Sequence, residues 1–327
     1  MKAILTGDMH VQKTLVHTDV IINYLDHLKN YYHENEIDYL FIIGDVFEKS
    51  TNIKNDAFIP LFLKFLELKD SGVKMIFILG NHDIINVNND SIVETFSSFG
   101  RVVKTSEEIE FDDGESKFYF LSYTKNEDLI PAQGEYLITH LSIADFDFDN
   151  AYHATEKHAF KRAIFENWKQ VFTGHFHGHQ SKGNICYVGS PVQTNRGEMG
   201  QTKGFVVLDT EIEKWEFIEY PDAPTFIEVT ADDLMNLKEA DYSNNYVVLK
   251  VGHKIKEYAK LRYILYEKGA LEIIPIFPEA EENVAVIDQD VEDNKNIEET
   301  TVSIIEELDD EELDKELLLK ILKKAMA

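Results

Sequence analysis

Five short apolar runs in this chain each end at a residue type that binds metal ions. Short runs rich in Ile, Leu, Val, Phe and Tyr are typical of buried strands. The runs, each with the residues that follow it, are Ala3–Thr6 with Gly7-Asp8-Met9-His10, Tyr39–Ile43 with Gly44-Asp45, Val73–Leu79 with Gly80-Asn81-His82-Asp83, Tyr136–Thr139 with His140, and Val171–Thr173 with Gly174-His175-Phe176-His177. Open α/β sheets place their ligand sites just past the carboxyl ends of the strands. The pattern therefore predicts an α/β fold with a metal site at these strand tips.

The strand tips supply more ligands than one metal ion normally takes. The candidate metal ligands are Asp8, His10, Asp45, Asn81, His140, His175 and His177. This number of oxygen and imidazole donors suggests two divalent ions. Because the set mixes imidazole with oxygen and lacks a thiolate, it favours Mn²⁺, with Fe, Zn or Mg²⁺ as alternatives.

The segments between the runs carry helical spacing of apolar residues over 15–32 and 56–71, which predicts strand–helix–strand units with parallel pairing. A hairpin is predicted around residues 112–114, a helix over 155–167 and a strand pair over 204–220. This order fits two stacked mixed sheets with helices outside.

The ordered motifs D-x-H, G-D-x-x, G-N-H-[DE], a lone His and G-H-x-H resemble those of the calcineurin-like metallophosphoesterases. All of them occur in that order over residues 8–177. A single D-x-H arises often by chance, whereas an ordered set that follows predicted strands is specific. The resemblance implies a four-layer α/β fold, with two stacked mixed β-sheets flanked by helices. It also implies a dinuclear metal site that hydrolyses phosphoesters.

The resemblance assigns roles to individual residues. Asp45, by its place in the G-D motif, is the candidate bridge between two ions. The resemblance divides the other ligands into two sets: Asp8, His10 and His177 for one ion, and Asn81, His140 and His175 for the other.

His82 and Asp83 are the candidate catalytic residues. In the resembling family, the histidine at the position of His82 stabilises the transition state or protonates the leaving oxygen. We expect Asp83 to hydrogen-bond the other nitrogen of His82 and fix its tautomer. The alternative is that Asp83 is a solvated turn residue.

Further motifs distinguish among phosphoesterases. Protein phosphatases of this class follow G-D with an arginine-bearing D-R-G, but here Gly44-Asp45 leads into Val46-Phe47-Glu48. Tyr187-Val188-Gly189-Ser190-Pro191 resembles the G-S-P segment of the SbcD-like nucleases, and the chain length resembles that of their bacteriophage members. Many cellular members carry a histidine where this chain has Glu48, which puts the details of exonuclease action in question.

The SbcD-like resemblance implies a duplex exonuclease and single-strand endonuclease that acts in DNA recombination, repair and replication. It implies a homodimer that works with an SbcC-like coiled-coil ATPase. Four regions are predicted: a nuclease domain over 1–220, a small α+β capping and DNA-binding module over 221–278, an acidic linker over 279–302 and a partner-binding helix over 303–327. Pro221 and Pro224 mark the first boundary.

A basic stretch with interleaved tyrosines in the small module predicts a phosphate-backbone contact surface. Its candidate DNA-binding residues are Lys250, Lys254, Lys256, Lys260 and Arg262, with Arg196 as a further candidate on the larger domain. The alternative is a solvated helix face with tyrosines in the core.

The C-terminal segment has an apolar row at helical spacing that calls for a groove on a partner. The row consists of Leu313, Leu317, Leu318, Ile321 and Leu322. The SbcC-like ATPase is the partner that the resemblance implies, and packing against the chain's own domain is the alternative.

Composition limits the remaining possibilities. The single cysteine, Cys186, excludes a disulfide framework, and no apolar stretch approaches the length of a membrane span, so we expect a soluble, cytoplasmic protein without membrane contact. If the chain is a phage protein, this is the host cytoplasm. Two rival functions stay open: a stand-alone metallophosphodiesterase for small phosphoesters, and an adaptor whose metal site is structural. His82 disfavours the adaptor, and the basic stretch and C-terminal helix disfavour the small-substrate enzyme.

Overall fold

The computed structural model of the protein describes residues 1–11, 15–111, 116–147, 159–230, 242–251 and 258–277. All of these residues belong to one compact unit, which spans 1–278. The predicted acidic linker and partner-binding helix, together with Lys254 and Lys256, lie outside the described residues. None of the described helices is both long enough and apolar enough to cross a bilayer.

The first sheet combines a parallel half with an antiparallel half. Its strands are β1 (Lys2–Thr6), β2 (Tyr39–Ile43), β3 (Met75–Ile78), β4 (Arg101–Val103), β11 (Gly204–Asp209) and β12 (Lys214–Glu219). The spatial order is β12-β11-β1-β2-β3-β4, parallel from β1 to β4 and antiparallel at β11 and β12. The parallel half brings the carboxyl ends of β1, β2 and β3 to the same edge.

The second sheet is also mixed. Its strands are β5 (Ser106–Glu110), β6 (Lys117–Leu121), β7 (Gly134–His140), β8 (Trp168–Gly174), β9 (Gln180–Lys182) and β10 (Ile185–Tyr187). The order is β5-β6-β7-β8-β10-β9, with antiparallel pairing only at the two edge strands. The predicted pair of stacked mixed sheets is therefore confirmed.

Side-chain alternation along the strands builds the layers. In β2, Phe41 faces the second sheet, where its ring centroid lies 5.0 Å from that of Phe120. The neighbouring Leu40 and Ile42 point the other way, into a core shared with two helices. Those helices are α1 (Leu15–Glu34) and α2 (Asn55–Asp70), as predicted, and they cover the outer face of the first sheet.

The helix predicted over 155–167 is wrong in the part that the structure describes, residues 159–167. There the chain forms an isolated bridge from Phe160 to Ile143 and a short 3₁₀ helix at Arg162–Phe165. The side-chain amide of Asn184 donates to the carbonyls of Phe165 and Trp168, so these backbone groups are satisfied without an α-helix.

A third, smaller sheet follows the two large ones. It consists of the parallel strands β13 (Phe226–Thr230), β14 (Tyr246–Lys250) and β15 (Glu272–Ile276), with α3 (Tyr258–Glu267) between the last two. Val247 and Leu249 pack under α3, whereas Tyr246 and Val248 face Met199 of the larger domain. The small sheet thus has its own core and a second apolar face on the rest of the molecule. The functional division at residue 220 stays a prediction.

Candidate metal centre

The ligand-bearing loops of the two large sheets converge at one edge. The ligand atoms form two groups that lie within 4.8 Å of one another, Asp8 with His10 and His177, and Asp45 with His140 and His175. A further group of the same size, His10 with Asp45 and His82, links these two. Asn81 joins the second group, since its Oδ1 lies 2.8 Å from His175 Nδ1 and 3.2 Å from His140 Nε2. The structure therefore brings all the predicted ligands together, while their binding of metal stays a prediction.

Asp45 lies between the two groups. Its Oδ2 is 3.2 Å from His140 Nε2 and 3.7 Å from His10 Nε2, and its Oδ1 accepts the backbone N–H of His82 at 2.9 Å. Burial alone would raise the pKa of Asp45, but the facing histidines, His140 first, hold it well below its usual range. An ionised carboxylate between two ligand groups is the arrangement that a bridging ligand requires.

Backbone conformation at the centre is unusual. Four ligand residues adopt left-handed φ angles: Asp8 (52°), His10 (46°), Asp45 (50°) and His175 (91°). Such conformations cost about 1 kcal/mol or more each, and they persist only where surrounding contacts enforce them. The motif glycines permit the close packing, because a Cβ at Gly44 would lie 2.5 Å from His140 Nδ1.

Outer contacts fix the tautomers of two ligands. Nδ1 of His140 donates to the carbonyl of Ile43 at 2.9 Å, and Nδ1 of His177 donates to Glu198 Oε1 at 2.7 Å. In the neutral ring each Nε2 therefore carries the lone pair, and each faces the centre, with His177 Nε2 only 3.0 Å from His10 Nε2. Imidazoles held in this way are typical metal ligands.

The electrostatics of the cluster suit a bound cation. Burial by itself lowers the pKa of His140, but Asp45 and Asp8 outweigh it and raise the pKa to about 9. Burial likewise lowers the pKa of His177, and Glu198 more than reverses this. The carboxylates thus attract positive charge to a buried place where imidazole nitrogens converge. A divalent cation would pair with the carboxylates and bind the imidazole nitrogens, and the oxygen and nitrogen donors fit Mn²⁺, Mg²⁺, Fe or Zn.

The predicted partnership of Asp83 with His82 is wrong. Asp83 is fully buried, and its carboxylate accepts the backbone N–H groups of Val46, Phe47 and Gly80 at 3.1, 3.3 and 2.9 Å. It thereby joins the loops that carry Asp45 and Asn81, so it is not a solvated turn residue either. Burial and the charge of Asp45 raise the pKa of Asp83 to about 7.

Glu48 makes the contacts that Asp83 was expected to make, and more. Its backbone carbonyl accepts Nδ1–H of His82 at 2.7 Å, which fixes the tautomer of that histidine. Its side-chain Oε2 lies 3.1 Å from His10 Nδ1. Where many resembling proteins have a histidine, this chain therefore places a carboxylate against a predicted metal ligand.

Sequence reasoning missed a buried charged pair behind His177. Glu198, at the end of a 3₁₀ turn that begins at Arg196, forms an ion pair of 2.7 Å with Lys203. Burial alone would raise the pKa of Glu198, but His177 and Lys203 hold it well below its usual range. Neither residue belongs to a motif, and the one available signal was their position soon after the Gly-Ser-Pro segment.

Four of the candidate DNA-binding residues belong to the part of the chain that the structure describes. Arg196 and Lys250 both pair with Glu228, at 2.6 and 2.5 Å. Lys260 and Arg262 are exposed on α3, and the tyrosines beside them, Tyr263 and Tyr266, are 65% and 42% exposed. These two tyrosines are therefore not core residues, whereas Tyr258, the third tyrosine of the stretch, packs against the core of the small sheet, so the alternative explanation holds in part. The predicted partner-binding residues Leu313, Leu317, Leu318, Ile321 and Leu322 lie outside the described residues.

The chain is similar to known proteins, and one family model covers most of its length. A stretch of 192 residues is 24% identical to exonuclease subunit 1 of Enterobacteria phage T4, covering 54% of this chain and 54% of that protein, so the match spans about half the length of this relative. A solved structure described as a novel archaeal phosphodiesterase aligns with a TM-score of 0.36 and 14% identity, over 67% of this chain and 100% of that one. Residues 1–197 match the calcineurin-like phosphoesterase family. Since this match covers more than half of the chain and every predicted ligand, the chain belongs to the calcineurin-like phosphoesterases, a family that uses divalent metal ions.

Proposed function

We propose that this chain is a divalent-metal-dependent DNA nuclease that hydrolyses phosphodiester bonds in duplex ends and in single strands. The observation that carries the proposal is the pair of ligand groups on either side of Asp45, with His82 beside them. The similarity to a phage exonuclease subunit supports DNA as the substrate. Recombination, repair and replication are the processes in which such an activity would serve.

The chain's own residues would hold two ions, for which Mn²⁺ is our first choice. As the resemblance implies, the ligands would form two sets that share Asp45: Asp8, His10 and His177, and Asn81, His140 and His175; the spacing of their ligand atoms supports this division. Bound ions there supply activation of a water molecule and neutralisation of charge on the phosphate. Asp83 keeps the loops of Asp45 and Asn81 in register through its backbone contacts.

His82 has the contacts of a proton donor. Because its Nδ1–H is bound to the Glu48 carbonyl, Nε2 is the nitrogen left to exchange a proton with substrate. Its ring centroid lies 5.0 Å from that of His10, so it stands at the edge of the ligand cluster. A protonated Nε2 there would donate to the leaving oxygen as the phosphodiester bond breaks.

DNA would lie across the small sheet as well as the metal centre. Lys260 and Arg262 on α3 are exposed beside exposed tyrosines, a combination that suits contact with a phosphate backbone. Arg196 and Lys250 would join them by exchanging Glu228 for phosphate. Lys254 and Lys256, which lie outside the described residues, are included in the proposed surface because of their place in the basic stretch of the sequence.

We propose further that the chain acts as a homodimer with an SbcC-like coiled-coil ATPase. The support for this partner is the apolar row within residues 303–327, which suits docking in a groove of another protein. The acidic segment before that row would act as the tether.

The decisive experiment compares three substrates with Mn²⁺ present. Purified full-length chain is incubated with end-labelled linear duplex DNA, circular single-stranded DNA and a small chromogenic phosphodiester, with and without the ATPase. We expect cleavage of both DNAs and their loss in His82→Ala. Hydrolysis of the chromogenic diester alone would instead favour the small-substrate phosphodiesterase. Bound metal without hydrolysis of any substrate would favour the adaptor.

A further inference from the structure

We propose that Glu198 and Lys203 are positioning residues that orient His177 for metal binding. Both are almost completely buried, at 1% and 3% exposure, and neither belongs to the five ligand motifs. Glu198 Oε1 lies 2.7 Å from His177 Nδ1, and Glu198 Oε2 lies 2.7 Å from Lys203 Nζ. The proposal rests on the metal centre and is independent of whether DNA is the substrate.

The carboxylate of Glu198 is saturated with donors. Besides His177 and Lys203, it accepts the backbone N–H of Thr194 at 3.0 Å, the hydroxyl of Thr194 at 2.6 Å and the amide of Asn195 at 2.7 Å. A buried carboxylate is costly unless it is paired and hydrogen-bonded, and here both oxygens are. Since every partner donates to it, Glu198 acts purely as an acceptor, and the hydrogen between it and His177 belongs to Nδ1.

That assignment decides which nitrogen of His177 is available to an ion. With the hydrogen on Nδ1, the lone pair is on Nε2, which lies 3.0 Å from His10 Nε2 and belongs to the ligand group of Asp8. A carboxylate behind an imidazole also increases its basicity as a ligand. Glu198 thus provides both the correct tautomer and a stronger donor.

Lys203 holds the other side of the same unit. Its Nζ donates to the backbone carbonyl of His177 at 2.8 Å, to Ser190 Oγ at 2.8 Å and to Gln201 Oε1 at 3.0 Å. One ammonium group therefore fixes the backbone of the ligand, the carboxylate behind it and the Gly-Ser-Pro segment. The arrangement accounts for a lysine buried in this loop.

The two proposed ion sites differ in this respect. His140, in the second group, is backed by the neutral carbonyl of Ile43, whereas His177 is backed by a charged pair. Loss of Glu198 should therefore weaken the site of His177 selectively. A residue that served stability alone would change both sites equally or neither.

The test measures Mn²⁺ binding by calorimetry on the full-length chain. Glu198→Gln replaces an all-acceptor carboxylate by an amide whose NH₂ faces donors, so we expect the affinity of one ion to fall about 10- to 100-fold with the other unchanged. The ¹⁵N spectrum of the metal-free protein should also lose the Nδ1–H form of His177. The matched control is the exposed pair Glu213–Lys169, whose Gln and Met variants should bind both ions as wild type does.

The double variant Glu198→Gln with Lys203→Met separates positioning from folding. Removing both charges together avoids an unpaired buried ion, so the fold should be kept even if Glu198→Gln alone is unstable. The ion site of His177 should bind Mn²⁺ as weakly as in Glu198→Gln, because no carboxylate contacts the Nδ1 of His177. A folded double variant with wild-type affinity at both sites would overturn the proposal. If wild type itself bound no Mn²⁺, the metal centre on which the proposal depends would fail first.

Discussion

The metal centre and the surface of α3 both concentrate charge, but they hold it in opposite ways. At the centre, Asp45, Asp83 and Glu198 are buried, and each accepts hydrogen bonds from fixed groups. On α3, Lys260 and Arg262 extend into solvent. Charges with fixed partners in a buried site produce all-or-none effects when they are removed, whereas exposed charges contribute in small, salt-screened increments.

The same contrast holds for the backbone. Four ligand residues sit in left-handed conformations that only their surroundings can maintain, and α3 is an ordinary helix with Leu261 and Leu265 facing the core. At the centre, these ligand residues thus depend on their own contacts for their backbone conformation, whereas the residues of α3 share the ordinary helical conformation. We therefore expect substitutions to act with very different magnitudes in the two regions.

The largest effect should follow Asp45→Ala. Because the carboxylate lies between both ligand groups, its loss should remove bound metal and abolish hydrolysis of every substrate. Elemental analysis and rates on the chromogenic diester measure both. Asp70→Ala, at the exposed end of α2, is the control with the same chemical change. Full metal content in Asp45→Ala would show that this residue is not the bridge.

His82→Ala should separate metal binding from turnover. The ring lies beside His10 and Asp45 but is not one of the predicted ligands, so metal content should stay normal while DNA cleavage falls about 10²- to 10⁴-fold. A chromogenic diester with a nitrophenolate leaving group should suffer less, because that group departs without protonation. An equal loss on both substrates would argue against a role as proton donor, and an unchanged rate on DNA would remove His82 from the site.

These outcomes bear on how much the sequence could reveal. The ligands and the two sheets were predictable because strand-ending motifs are local, and parallel strands bring their tips together. The partner of His82 was not, because adjacent residues in a turn point in different directions. Asp83 turns inward to three backbone N–H groups, and His82 reaches the carbonyl of Glu48.

Glu198 and Lys203 show a second limit. They become important only through tertiary contacts with His177, some 20 residues earlier, and no periodicity marks a 3₁₀ turn that buries a charge. The helix predicted over 155–167 is absent from residues 159–167 for a related reason. There the side-chain amide of Asn184, from a later part of the chain, donates to backbone carbonyls that a helix would otherwise have to satisfy. Propensity alone does not register such contacts.

Removal of residues 303–327 tests whether either region depends on the proposed ATPase partner. The deletion should leave metal content and chromogenic hydrolysis intact while the ATPase no longer copurifies. Leu317→Asp with Leu318→Asp should do the same, at a cost of about two to four decades of affinity if both leucines are buried in a groove. Recovery of the ATPase at wild-type yield would shift the docking site to the small sheet.

Charge reversal on the small module should give a graded effect. Replacing Lys254, Lys256, Lys260 and Arg262 by Glu should weaken DNA binding and reduce its salt dependence by about 0.9 per lost phosphate contact. Chromogenic hydrolysis should continue at the wild-type rate. The control reverses exposed lysines elsewhere, Lys117 and Lys214. An unchanged affinity and salt slope would mean that this basic face is only solvated.

The last prediction concerns the pH dependence of the metal-free protein. The pKa of His140 is raised from 6.5 to about 9 in the folded state, so between these values the folded protein holds more protons than the unfolded chain. Its contribution to stability is therefore complete below pH 6.5 and is lost as pH rises through 9, and His177, whose pKa is also raised, acts in the same direction.

Thermal melts in chelator across that window should show falling stability as pH rises, and saturating Mn²⁺ should reverse the trend, because the cation replaces the protons that the carboxylates attract. His140→Asn should flatten the metal-free slope, which separates this group from the rest of the chain. A stability that stays level or increases from pH 6.5 to 9 without metal would show that His140 is not held by Asp45 as the contact of 3.2 Å implies. It would also weaken the contrast between fixed and exposed charges from which the prediction comes.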